Sequence, residues 1–185
     1  MTVSVISRKD AVSGGTTTEF YLFPRDGSYK ERRFDLRISS ATVDLEASDF
    51  TLLPDYQRII TPLEGGFTLT YKETGEKVTL APLEEDFFDG AYHTHSIGKA
   101  IDFNVMYKKG MHAAYSVINA SKKFGLADFR FLYVPFIDAK DLTGSTLNEH
   151  SLTRDTLYVS DDRSDAFVLA LKKPVSLIYV SVRKA

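Results

Sequence analysis

The chain has 185 residues, 43% apolar and 26% charged, with a formal net charge of −2. That is enough for one ordinary domain or two small fused barrels, and the scattered basic residues leave no electrostatic footprint for nucleic acid. The absence of cysteine excludes disulfides, Cys-ligated metal and a thiol nucleophile. No run reaches the ~20 apolar residues of a membrane helix. The opening MTVSVISRKDAVSGG lacks a secretory apolar run, so a cytoplasmic protein without membrane contact is expected.

In chain order, Thr2 to Ile6 reads as a short strand and Gly14-Gly15 as a turn. Thr16 to Phe23 is β-branched and aromatic, which suits a strand. Strict alternation puts Thr17, Glu19, Tyr21 and Phe23 on one face, opposite Thr16, Thr18, Phe20 and Leu22. Phe34 to Val43 alternates in the same way, with Arg37, Ser39 and Ala41 sharing a face. Asp44 to Asp49 reads as an acidic turn, followed by a turn at Pro54-Asp55. Gln57 to Glu64 is a strand with Arg58 and Ile60 on one face, and Gly65-Gly66 turns it back into Phe67 to Tyr71. Val78 to Leu80 is a strand and Pro82 to Gly90 an acidic loop. Ile101 to Tyr107 puts Asp102, Asn104 and Met106 on one face. Met111 to Lys123 fits helix or strand, and its strand neighbours favour a strand. Phe129 to Phe136, Thr156 to Val159 and Val175 to Val182 are strand-like, and Phe167 to Leu171 is a weaker candidate. Asp138 to Arg154 is polar and irregular, and no segment demands a helix. Many short strands separated by Gly, Pro and Asp turns predict an all-β sandwich or barrel.

Several segments together resemble the HutD/Ves family of cupin-like proteins. They are Ser13 to Glu19 (SGGTTTE), Phe34 to Val43 (FDLRISSATV), Leu53 to Arg58 (LPDYQR), Leu63 to Gly66 (LEGG), Phe88 to Gly90 (FDG) and Asp102 to Met106 (DFNVM). They fall in the family's order across residues 11 to 110. Ala11 and Leu36 stand where the family often has Trp, and Ser13 where it usually has Asn. The resemblance implies cupin-like jelly-roll barrels, two of them fused in a bicupin. Residues 1–110 would form the first and residues 111–185 a second, smaller β half. It also implies a link to histidine utilisation, with a small acidic metabolite such as N-formylglutamate as ligand, or to a stress response.

Arg37 and Arg58 lie inside strand runs, where a guanidinium buried without a partner is expensive. Arg37 therefore needs an internal carboxylate (Glu19, Asp102 or Glu64) or an anionic ligand, and both readings stand. Arg58 is either a rim arginine or a second contact to the same anion. Asn104 beside Asp102 suits recognition of an amide-bearing acid or a satisfied buried polar network. Thr16, Thr18 and Ser39 offer hydroxyls. His93-Thr94-His95 places two imidazoles on one face of a strand, as a metal site requires. However, no acid follows before Asp102, so an exposed loop is the stronger reading. Neither a nucleophile elbow nor a phosphate loop is present.

The leading expectation is a non-enzymatic, cofactor-free binding protein for a small acidic metabolite. Arg37 and Arg58 would meet the carboxylate, Asn104, Thr16 and Ser39 would add neutral hydrogen bonds, and Glu19 and Asp102 would hold the arginines. The first alternative is a cupin enzyme, metal-dependent through His93 and His95 or metal-free through Asp102. The second is an interaction protein with a purely structural polar interior. A homodimer is compatible with each.

Overall fold

Alternating β-branched and aromatic residues place most of the chain in strands. The computed structural model describes residues 8–12, by their backbone, and residues 15–184. The strand expected at Thr2 to Ile6 lies outside the described residues. The chain divides into a unit that ends at Lys109 and one that begins at Gly110.

The first unit contains β1 (Arg8–Val12), β2 (Gly15–Phe23), β3 (Leu36–Val43), β4 (Ala47–Asp49), β5 (Tyr56–Gly65), β6 (Phe67–Tyr71), β7 (Lys77–Leu80), β8 (Asp86–Asp89), β9 (Thr94–Ile97) and β10 (Ala100–Lys108). Its six-stranded sheet runs β1-β2-β3-β10-β5-β8, and its four-stranded sheet runs β4-β9-β6-β7. An apolar cluster joins the two sheets: Ile60, Phe88 and Ala100 come from the first, and Phe67, Leu69, Tyr71 and Leu80 from the second. Two stretches depart from the sequence reading. Ala47–Asp49, expected as a turn, pairs with β9, and Asp86–Asp89, expected as a loop, pairs with β5. Both are short and flanked by acidic residues, and a neighbouring strand recruits them into a ladder, with Phe88 of the second buried in the core.

The second unit contains β11 (His112–Ile118), β12 (Lys122–Lys123), β13 (Phe129–Val134), a one-turn helix α1 (Ala139–Leu142), β14 (Thr146–Leu147), β15 (His150–Ser151), β16 (Thr156–Ser160), β17 (Val168–Ala170) and β18 (Leu177–Arg183). The stretch read as irregular thus holds that helix and the β14–β15 hairpin. The sheets run β11-β18-β13-β16 and β12-β17-β14-β15, joined by a cluster that includes Leu132, Leu147, Tyr158, Leu169 and Leu177. Among the described residues, the ladders of each unit form a pair of sheets that do not close on one another. The all-β character of the sequence expectation holds, while the ladders form open sheets where the expectation had jelly-roll barrels.

Register in the first unit decides what the cavity receives. In β10, Met106 faces Arg37 of β3 and Arg58 of β5, Asn104 faces Ser39 and Ile60, and Asp102 faces Ala41 and Pro62. Adjacent strands lie about 4.8 Å apart, so the two arginine Cα atoms are about 10 Å apart across β10. A bulge in β2 follows from pairing Glu19 with Ser39 but Tyr21 with Ile38, which leaves Phe20 as the extra residue. The bulge reverses the faces beyond it. Thr17 and Glu19 stay on the arginine side, while Tyr21 and Phe23 turn to the other.

The β5–β6 turn depends on Gly65, which has φ +73°. A Cβ there would stand 2.3 Å from the Lys99 carbonyl oxygen. Gly65→Ala is expected to cost ~2–3 kcal/mol, about 1 from the left-handed backbone and the rest from displacing the β10 entry. Urea denaturation of both proteins measures this. An unchanged midpoint would show that the turn relaxes freely.

Candidate functional site

A cavity of about 320 Å³ lies within the first unit. One wall is the β3-β10-β5 face, with Arg37, Ser39, Asp102, Asn104, Met106 and Arg58, and the other is the Thr42–Thr51 segment with β4. Sequence alternation predicted which of these side chains share a face within each strand, because the pleat repeats every two residues, and the register of β3 and β5 on β10 brings the three sets together. Arg37, Ser39, Arg58, Asp102 and Asn104 are all buried.

The two arginines sit in different environments. Arg37 is held on three sides. Its Nε donates to Glu19 Oε2 at 2.8 Å, its Nη1 donates to Ser39 Oγ at 2.9 Å, and its guanidinium stacks on the Tyr29 ring at 4.2 Å. Glu19 reaches it diagonally from its place opposite Ser39. Arg58 is 4% exposed and makes no hydrogen bond or ion pair among the described residues. Its contacts among the described residues are with aromatic rings, Phe50 at 4.7 Å and Phe88 at 5.1 Å from the guanidinium carbon. Desolvated contacts of this kind return about 2 kcal/mol, against several kcal/mol for removing the ion from water. Burial accordingly pulls the Arg58 pKa down to about 10, partly offset by Tyr29 and Asp102.

Asp102 shows the complementary effect. Burial pushes its carboxyl up to about 7, opposed first by Arg58, then by the Ala41 N–H, and then by Arg37. The Ala41 N–H donates to Asp102 Oδ1 at 3.2 Å, and neither arginine forms an ion pair with it among the described residues. Asn104 Oδ1 is likewise buried without a hydrogen-bond partner. The cavity floor therefore carries an uncommitted guanidinium, a carboxyl near its titration point and an unsatisfied amide. Such a cluster suits recognition of an anion that also bears polar groups.

Not every expected residue is here. Thr16 is exposed, faces Thr42 and does not line the cavity; its neighbour Thr17 does. Glu19 enters as the partner of Arg37. His93 Nδ1 pairs with Glu73, whereas His95 Nδ1 pairs with Asp49 at 2.9 Å. No group of three or more His, Asp and Glu among the described residues could hold a metal ion. His93 and His95 each meet one carboxylate, from different segments. Sequence reasoning missed Tyr29, Asp49, Phe50 and Phe88, all of which lie outside the strands it assigned. An aromatic residue in an otherwise polar connection, as at Tyr29 and Phe50, is the available signal.

Among the described residues, no helix is long and apolar enough to cross a membrane. The HutD family model matches residues 11–177. Among curated proteins none matches the sequence. Among solved structures, HutD from Pseudomonas fluorescens SBW25, in a formate condition, has a TM-score of 0.79 at 20% identity, covering 99% of this chain and 97% of that one. A conserved protein of unknown function from Pseudomonas aeruginosa PAO1 also has a TM-score of 0.79, at 22% identity, with 98% and 97% covered. The bacterial pirin YhhW from Escherichia coli, in complex with nickel(II), has a TM-score of 0.63 at 9% identity, with 97% and 96% covered. These likenesses make the fold cupin-like.

Proposed function

The chain belongs to the HutD family, and from that premise we propose that it is a non-enzymatic binding protein for a small carboxylate metabolite. The observation that carries this reading is Arg58, a buried guanidinium at a cavity wall with no ion pair among the described residues. A planar carboxylate matches its fork bidentately, and the free N–H groups of Arg37 complete a two-arginine grip. Asn104 and the hydroxyls of Ser39 and Thr17 supply neutral contacts to the rest of the ligand.

An N-formylglutamate-like acid fits this chemistry, since it joins carboxylates to an amide. The formate condition of the Pseudomonas fluorescens structure names the smallest carboxylate to try. A role in sensing an intermediate of histidine utilisation, or in a stress response, in the cytoplasm would follow from such binding.

A thermal-shift panel on untagged protein tests the reading, with formate, N-formylglutamate, glutamate, urocanate and neutral sugars, each with and without EDTA and with and without added divalent metal. A carboxylate at ~100 times its dissociation constant should add ~2.7 kcal/mol, which for a chain of this size raises Tm by roughly 5–10 °C. EDTA should not change the shift. If sugars act as well as acids, or if only added metal shifts Tm, the carboxylate reading fails.

A further inference from the structure

We propose that anion binding in this cavity takes up one proton onto Asp102, and that neutral Asp102 then donates a hydrogen bond to the bound anion. This rests on the carboxylate reading above and adds a proton linkage and a specificity-determining residue to it.

The argument is one of shared compensation. Asp102 is 4% exposed and among the described residues accepts one hydrogen bond, from the Ala41 N–H. Arg37 of β3 is already engaged by Glu19 of β2. The cation left to balance Asp102 is Arg58 of β5, acting through space. The other groups around the cavity do not change this count. Asp49 of β4 is hydrogen-bonded to His95 of β9, the Tyr29 ring covers Arg37, and β10 itself adds only neutral Asn104. An anion that takes the Arg58 fork puts a second negative charge into the same buried volume, and two such charges sharing one free cation cannot both persist.

Asp102 is the group that yields. It has a single N–H donor, whereas the ligand gains a guanidinium, and its carboxyl already titrates near neutrality in the unliganded protein. The proton comes from solvent, and no ligand bond breaks. Oδ1 continues to accept from Ala41, while Oδ2 carries the proton to a ligand oxygen. The site then offers donors from Arg37, Arg58 and Asp102 together, which favours a carboxylate over its amide.

Titration calorimetry with formate tests this, in buffers of different ionisation heat from pH 6 to pH 9. Formate stays ionised throughout, so any proton taken up belongs to the protein. About one proton per formate is expected at pH 8, with affinity falling tenfold from pH 8 to pH 9. In Asp102→Asn, whose amide can donate like the neutral acid, the uptake should vanish and the affinity stay flat with pH. Carbon-13 carboxyl titration of the wild-type protein needs no variant. The Asp102 signal should titrate near pH 7 without formate and at higher pH with it. Formate binding with no proton uptake, or an Asp102 midpoint in the ordinary carboxylate range with formate bound, would overturn the inference and leave the carboxylate reading standing. No formate heat at any pH would overturn both.

Discussion

Arg58→Met is expected to abolish carboxylate binding while leaving the protein at least as stable as the wild type. Arg58 has no hydrogen bond or ion pair to lose among the described residues, and Met is long enough to fill the space between Phe50 and Phe88. Replacing a buried, poorly compensated ion by an apolar side chain of similar length is typically neutral or stabilising by about 1–4 kcal/mol. Binding should fall at least ~100-fold, since a charge-assisted contact in a buried site is worth about 3 kcal/mol. Arg37→Met should behave in the opposite way. It strands Glu19, whose side chain is 19% exposed, without its cation. Breaking a buried pair costs about 3–5 kcal/mol, and the lower figure applies here because Glu19 keeps some water. Urea denaturation and formate titration, run side by side on both variants, separate the two arginines. An Arg58→Met protein that unfolds, or one that binds formate like the wild type, would remove Arg58 from the site.

The second large effect is a pH-dependent gain in stability in Asp102→Asn. The folded-state pKa of Asp102 is raised from 3.8 to about 7. The native protein therefore holds this proton over a pH range in which the unfolded chain has released it. The Asp102 contribution is at its most favourable below pH ~4, declines as pH rises from ~4 to ~7 and is flat above that. A shift of about three pH units corresponds to a difference on the order of 4 kcal/mol. Asp102→Asn keeps an acceptor for the Ala41 N–H and cannot ionise, so its stability relative to wild type should rise across that window and level off near pH 8. Chemical denaturation at pH 4, 6 and 8 in the absence of carboxylate measures the trend. A constant difference at all three values would mean that Asp102 ionises normally in the folded state.

The composition of the cavity floor was readable from strand periodicity. Arg37, Ser39 and Ala41 alternate in one run, and Asp102, Asn104 and Met106 in another, so each triplet had to share a face. Glu19 could be named as a candidate partner for Arg37, but its geometry depends on the bulge at Phe20. Without the bulge, Glu19 and Tyr21 would share a face, and the structure turns them apart. The adjacent buried aromatics Phe20 and Tyr21, both under 7% exposed, are the trace it leaves in the sequence. Thr16 was assigned to a site that alternation itself reserves for Thr17, and the structure follows alternation. The surroundings of the two histidines are likewise not legible from spacing. His93 and His95 are two residues apart, yet they meet carboxylates from different segments, Glu73 and Asp49.

By itself, the sequence determined that the chain is all-β, that its polar strand residues gather on shared faces and that no thiol chemistry is available. These follow from the pleat and from composition, which are local. Only the tertiary structure decided which arginine is spent and which is free. That outcome turns on registers between segments far apart in the chain: β2 on β3 delivers Glu19 to Arg37, while β8 and the Phe50 segment surround Arg58 with rings instead of a carboxylate. Cross-strand register is set by bulges, turns and core burial acting together, and no single stretch of the chain encodes it.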